Sequence, residues 1–287
     1  MIVSKRENGF TFVPQYEHGA LAGELAARWG NERFAAPALA PALRIAAAHH
    51  DDGWRELDDL PAYNSEAGRP AHFLELPLER TVPPYGRGVD SVFAREPLAG
   101  ALVAMHWTGL YWGRWGLQGS EPLAHPLAEE VVAERERQRV ETLLAVWRRV
   151  GGLRSEFEAQ VWHAYEVLQA LDVISLALSS LDPSRPTAAG EPVAVPSVLG
   201  AIEQPPGPRL VPDAPTAPLG QRLDLTLVVV EPGVGTIDPW PFAAERLELA
   251  LPARALPGDG LPEAEGVAAY RAAPVTPLAW TLVPGAR

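Results

Sequence analysis

Cysteine is absent from the 287-residue chain. That excludes disulfides, thiolate metal sites and a cysteine nucleophile. Lysine is nearly absent too: Lys5 is the only one, so any side-chain clamp on a phosphate or carboxylate must be arginine. No apolar run approaches the roughly 20 residues of a membrane-spanning helix. The opening MIVSKRENGF lacks the apolar stretch of a signal peptide. A cytoplasmic protein with no membrane partner is expected. Net positive charge is missing as well, and at −12 the chain is a poor partner for nucleic acid. There is no G-x-S-x-G elbow, no Walker A loop, no H-E-x-x-H and no G-x-G-x-x-G after a strand. Those absences remove the common serine-hydrolase, nucleotide-binding and zincin signatures.

What the sequence does hold centres on His49-His50-Asp51-Asp52-Gly53-Trp54. Neutral nitrogen and anionic oxygen donors side by side suit a divalent metal of borderline hardness. The preceding PALRIAAA predicts a buried helix whose last turn delivers the cluster, with Gly53 as its stop. Consecutive helical residues point about 100° apart, so further ligands must come from elsewhere.

The apolar fraction of 47% is that of a globular chain with a sizeable core. Two β-type runs, MIVSK and FTFVP, flank Asn8-Gly9 and predict a hairpin. Leu21, Leu25 and Trp29 share a helical face, predicting a helix over 17–29 with His18 in its first turn. The stretch 55–97 reads either as a helix or two or as a long loop covering one face. Helices are then predicted over 97–110, with His106, from Pro126 onward with a charged face, and over 155–180, with His163 and Asp172. Ten prolines and no convincing helix fall between residues 182 and 220, and the C-terminal third reads as β. RLDLTLVVV, RLELALPARAL and PLAWTLVP read as strands able to pair with the N-terminal hairpin. The fold class is α+β. A hairpin and helical body span 1–182, and a proline-rich, antiparallel β-rich part spans 183–287, the two packed as one unit.

All seven histidines precede residue 164, which puts any such chemistry in the helical part. His18 and His106 interrupt apolar helix faces, where a satisfied core histidine is the ordinary alternative to a ligand. Asp172 interrupts VLQALDVISLAL, and a buried carboxylate requires a cation, a donor network or a metal. His163 lies nine residues earlier, about half a turn away around the helix, and is the poorer candidate. His72 and His125 read as surface residues in loops, and Asp58 and Asp59 as solvated. Trp54, Trp107 and Trp112 are candidate pocket walls or plain core.

One histidine, an adjacent His-Asp pair, then a distant aspartate on a late helix resembles the HD-domain superfamily of metal-dependent phosphohydrolases. Here those positions are His18, His50-Asp51 and Asp172. The resemblance implies that His50 and Asp51 ligate the metal and that His18 and Asp172 complete the shell. His106 falls where larger members place a histidine for a second ion. More closely, the chain resembles a bacterial family of unknown function, domain of unknown function 3891. The resemblance rests on the MIV hairpin, the QxxHxxLxGxLAxxWG start (Gln15, His18, Leu21, Gly23), the HDxGW block and the DPWPF turn. His49 doubles the histidine, and His50 is preferred as the ligand for its adjacency to Asp51.

These readings imply a metal-dependent hydrolase using a divalent ion (Fe, Mn, Zn or Mg) on a small anionic substrate. Asp52 is the candidate base and Arg55 a candidate substrate clamp, with Arg44, Arg69 and Arg114 as further clamps. Two other classes stay open. One is a di-iron, oxygen-activating site that requires His106 and perhaps His163. The other is a metal-stabilised binding or regulatory protein without turnover. Substrate, metal identity and oligomeric state are not read from the sequence.

Overall fold

The structure is a computed structural model that describes residues 1–112, 123–258 and 260–285. The chain opens with strands β1 (Ile2–Arg6) and β2 (Gly9–Val13), paired antiparallel from Ile2↔Val13 to Arg6↔Gly9. Helices α1 (Gln15–Ala26) and α2 (Ala40–His49) follow, then a 3-10 turn over Asp52–Trp54 and the short α3 (Arg55–Asp59). A two-residue ribbon, β3 (Tyr63–Asn64) with β4 (Arg69–Pro70), leads into α4 (Leu78–Arg95). Next come α5 (Pro97–Tyr111), α6 (Pro126–Val150) and α7 (Arg154–Ser180). The tail carries β5 (Val193–Ala194), a single turn α8 (Val195–Val198), β6 (Arg209–Pro215), β7 (Arg222–Glu231), β8 (Val234–Asp238), β9 (Leu247–Leu256), α9 (Glu263–Ala272) and β10 (Val275–Pro284).

The hairpin joins the tail. One sheet runs in the order β1-β2-β9-β10-β8-β7-β6-β5, with Phe10↔Leu256 and Phe12↔Arg254 pairing the chain's two ends. Neighbours are antiparallel except β10 with β8 and β5 with β6. Strand alternation decides which side faces the helices. Leu247, Leu249, Leu251 and Ala253 of β9, with Leu225, Leu227 and Val229 of β7, enter the main core beside α1, α2, α5 and α7. On the other side of the hairpin, Val3 and Phe12 meet Tyr270 and Ala273, at the C-terminal end of α9, in a smaller core.

Alpha5 is apolar on all sides because it is surrounded: Leu98 through Gly109 are all buried. Alpha1 and α2 approach through small residues. A Cβ on Gly23 would sit 2.5 Å from Ala48 Cβ, so only glycine permits this crossing. That close contact sets His18 of α1 against His50 at the end of α2. Among the described residues no helix is long and apolar enough to cross a membrane.

Several expectations are corrected. The first helix starts two residues early and ends at Ala26, three short of Trp29. The stretch 55–97 is not a long covering loop. Its second half is the eighteen-residue α4, which carries Pro83 and Pro84 inside it, a pattern that reads as loop in sequence. The tail is not devoid of helix, since α9 and the α8 turn lie within it. Strands β6 and β8 lie between or beside the runs that the alternation picks out. Part of the aromatic YWGRWG segment, with Arg114, lies outside the described residues.

Candidate metal centre

Five of the side chains singled out in the sequence converge. His18 from α1, His50 at the C-cap of α2, Asp51 just beyond it, His106 from α5 and Asp172 from α7 are each 5% exposed or less. The donor atoms form two groups, His18–His50–Asp51 and His50–His106–Asp172, each with all atoms within 4.8 Å of one another. Asp172 Oδ1 lies 3.1 Å from both His18 Nε2 and His50 Nε2. Asp51 Oδ2 lies 3.6 Å from His18 Nε2 and 3.9 Å from His50 Nε2. The His50 ring stands edge-on to His18 at 5.0 Å and to His106 at 4.9 Å between centroids. Ligand atoms around one ion with bonds of about 2.1 Å are separated by about 3–3.5 Å, close to what is found here.

The local chain explains the convergence. Alpha2 ends at His49, and Asp51 leaves helical geometry (φ −113°, ψ 17°), so His50 and Asp51 escape the 100° divergence expected of helical neighbours. Gly53 does not stop the helix. It lies inside the 3-10 turn, where a Cβ would fall 2.6 Å from Pro84 O and Tyr85 Cα. Its role is to let the turn press against α4.

The two adjacent histidines are placed differently: His50 belongs to both groups and His49 to neither. His49 is half-buried and turned outward, with Nδ1 2.8 Å from Asp52 Oδ2 and the Arg95 guanidinium at its Nε2. His50 Nδ1 lies 2.8 Å from the carbonyl of Ala47, which can only accept, so Nδ1 carries a proton. In neutral His50, Nε2 is therefore a lone pair aimed at Asp172.

Burial opposes charge on all these groups, and the neighbours decide the outcome. Burial pulls His18 down to about 3 and His106 to about 4. For His50 burial is outweighed by Asp51 and Asp172, which carry it up to about 9. Asp172 resists burial through the hydrogen bond and charge of His50 and lies well below the usual carboxylate range. Burial, with Asp172 adding to it and His50 opposing, pushes Asp51 up to about 7. In the metal-free protein a proton on His50 thus stands where a cation would neutralise Asp172.

One residue escaped the sequence reading. Tyr85 of α4 is buried beside Asp51, which, after burial, raises the pKa of its phenol, and its hydroxyl makes no hydrogen bond of good geometry. Trp54 and Trp107 flank its ring, at 6.2 and 4.7 Å between centroids. No sequence signal marked Tyr85, because PPYGRG reads as a turn. The side-chain nitrogens His18 Nδ1 and His106 Nδ1 are also buried without a partner.

The remaining candidates stand apart. Asp52 and Arg55 belong to neither group: Asp52 faces His49, and the Arg55 guanidinium lies 3.8 Å from the Tyr16 ring centroid. Arg44 is exposed, and Arg69 is buried in an ion pair with Glu75. Trp112 is half exposed. His163 is buried with neither ring nitrogen partnered, outside both groups. Two expectations of surface placement fail. His72 is 1% exposed and caps the turn at Phe73, and Asp58 is 2% exposed. Asp58 accepts from the Met1 ammonium and the Gln15 N–H, both at 2.5 Å, which gives a buried carboxylate the partners it needs. Asp59 is exposed, as expected, and His125 caps the start of α6.

The profile of the family described as "Protein of unknown function (DUF3891)" matches residues 1–258. Neither a curated protein nor a solved structure matches the chain.

Proposed function

The chain belongs to the family Protein of unknown function (DUF3891), whose description names no activity, and from the site alone we propose that it is a metal-dependent hydrolase of HD type acting on a small anionic substrate. The observation that carries this reading is the fixed tautomer of His50. Its Nδ1–H is spent on Ala47, so a neutral ring presents a lone pair to a buried carboxylate at 3.1 Å. A metal ion that displaces the Nε2 proton of His50 would take that lone pair and neutralise Asp172 together, and a backbone carbonyl behind a histidine ligand is the usual means of orienting one.

His18, His50, Asp51 and Asp172 would hold the ion, with His106 as a fifth donor. The two groups share His50, which has a single free lone pair, so they are alternative shells for one ion and not two separate sites. This favours a mononuclear centre over the di-iron alternative. When bound, a divalent ion supplies a water of lowered pKa and a Lewis acid for a phosphoryl or carbonyl oxygen. The protein's own contribution is to hold His18 and His106 unprotonated through burial, to exclude bulk water and to set Tyr85 beside Asp51 as a proton donor. Asp52 and Arg55 are candidates for base and clamp from the sequence alone, and their positions outside both groups give them no ligand role.

One observation favours a second reading, a metal-stabilised protein without turnover: all five candidate ligands are 5% exposed or less, as in a closed structural site. The two are separated by loading the metal-free protein with Mn²⁺, Fe²⁺ or Zn²⁺ and assaying a panel of phosphomonoesters and phosphodiesters. Turnover that is lost in Asp51→Ala and kept in His163→Ala supports the hydrolase. Metal binding with no turnover on any ester leaves the closed site as the reading. Asp52→Ala and Arg55→Ala should bind metal as wild type does, so any loss they cause is a loss of turnover alone.

A further inference from the structure

The first turn of α1, the end of α3, strand β9 and the C-terminal end of α9 border a cavity of about 390 Å³. That is the size of a small-molecule site. Glu17, Asp59, Arg254 and Arg271 line it, and among the described residues none of the four makes an ion pair. Glu17 and Arg254 are half-buried, Asp59 and Arg271 exposed. Asp58 lines the cavity too, but its charge is met by the Met1 ammonium. Two carboxylates and two guanidiniums therefore share one cavity without neutralising one another. The Arg254 guanidinium donates to the Ala273 carbonyl and lies 5.6 Å from the Tyr270 ring centroid, which leaves most of its five donors free. Tyr270 is 4% exposed and lines the same cavity, and its hydroxyl has no hydrogen-bond partner among the described residues. Such a hydroxyl costs free energy unless something in the cavity pairs with it.

We propose that this cavity binds a small zwitterion of the amino-acid class, carrying one ammonium and one carboxylate. The ligand's carboxylate answers Arg254 and Arg271, and its ammonium answers Glu17 and Asp59. The Tyr270 hydroxyl can donate to the first or accept from the second. A plain anion would leave the two carboxylates unpaired, and a plain amine the two guanidiniums. Only a ligand bearing both signs leaves neither kind of charge unanswered. Pro252 and Val275 supply apolar wall for its carbon skeleton. The site is separate from the metal centre, since none of the five candidate ligands lines the cavity. Alpha1 divides the two: Glu17 lines the cavity, and His18, about 100° further round the helix, joins the cluster. The inference does not rest on the hydrolase reading.

The test is isothermal titration of the full chain with glycine, L-alanine, L-leucine, β-alanine and γ-aminobutyrate, beside propylamine and propionate as single-charge controls. At least one zwitterion should bind with a dissociation constant of about 1 mM or tighter, and both controls about tenfold more weakly or worse. The constant should be the same after chelator treatment, when an amino acid has no metal to bind. Glu17→Gln and Arg271→Gln should each weaken binding about threefold, as the loss of a partly screened charge contact, with an unchanged circular dichroism spectrum. Tyr270→Phe keeps the ring against Phe12 and removes only the hydroxyl. It should weaken binding about threefold to tenfold. The proposal is overturned if no zwitterion binds that tightly, or if a single-charge control binds equally well. Binding that disappears with the chelator also overturns it, by assigning the ligand to the metal centre. So does binding indifferent to both Glu17→Gln and Arg271→Gln, which places the site elsewhere.

Discussion

Asp172→Asn in the metal-free protein tests the electrostatics of the centre. Asp172 accepts from two imidazoles at 3.1 Å, and it is one of two carboxylates that keep the proton on His50 at neutral pH. Removing one partner of a buried ion pair costs about 3–5 kcal/mol when the other charge has no escape. Here there is an escape, because His50 can release its proton once the attraction is gone. The loss is then limited to what the raised pKa contributes. With about 9 in the folded state and about 6.5 unfolded, that is about 2.5 kcal/mol at pH 7. The sign follows from the raised value: the contribution is complete below pH 6.5 and vanishes as pH rises through 9. Asp51 stays in place and holds part of that shift, so urea unfolding of chelator-treated wild type and Asp172→Asn should differ by about 1–2.5 kcal/mol at pH 7, with the gap closing by pH 10. A difference under about 0.5 kcal/mol at pH 7, the size of an ordinary surface substitution, would refute the buried pair.

Gly53→Ala places a methyl 2.6 Å from the Pro84 carbonyl and Tyr85 Cα, so it should cost about 1–3 kcal/mol in thermal unfolding and weaken metal binding by moving Asp51. Asp58→Ala strands the Met1 ammonium and the Gln15 N–H in the interior. A loss of about 3–5 kcal/mol is expected in denaturant melts, with metal affinity retained if the protein folds. His72 titrates at about 3 because burial, then the Met1 ammonium, disfavours its charge. The unfolded chain takes up that proton near pH 6.5, so stability falls as pH drops from 6.5 to about 3. His72→Gln should make this dependence shallower by about 1.4 kcal/mol per pH unit, read from melts across the acid range.

The helices bearing the centre were legible because each combines an apolar face with one polar intruder. His18, His106 and Asp172 stood out for that reason, and three of the tail strands for their alternation. Long-range geometry was not legible. Nothing in PPYGRG indicates that two prolines sit within α4, so Tyr85 stayed hidden. Asp58 and His72 looked solvated because their partners, the Met1 ammonium and the Phe73 turn, are supplied by contacts that spacing does not encode. His49 and His50 are equivalent in composition, and only the Ala47 carbonyl and the end of α2 distinguish the buried ring from the exposed one. Alpha9 was missed because its sequence, EAEGVAAYRA, carries too few large apolar residues to show a face.

The most direct measurement is the stoichiometry of metal in the purified, reloaded chain, read by elemental analysis beside His50→Ala and His49→Ala. One divalent ion per chain, retained in His49→Ala and lost in His50→Ala, is the predicted result, because only His50 turns a tautomer-fixed lone pair into the cluster. No ion in the wild type after reloading, or an ion indifferent to His50→Ala, would contradict the metal centre and the hydrolytic reading built on it.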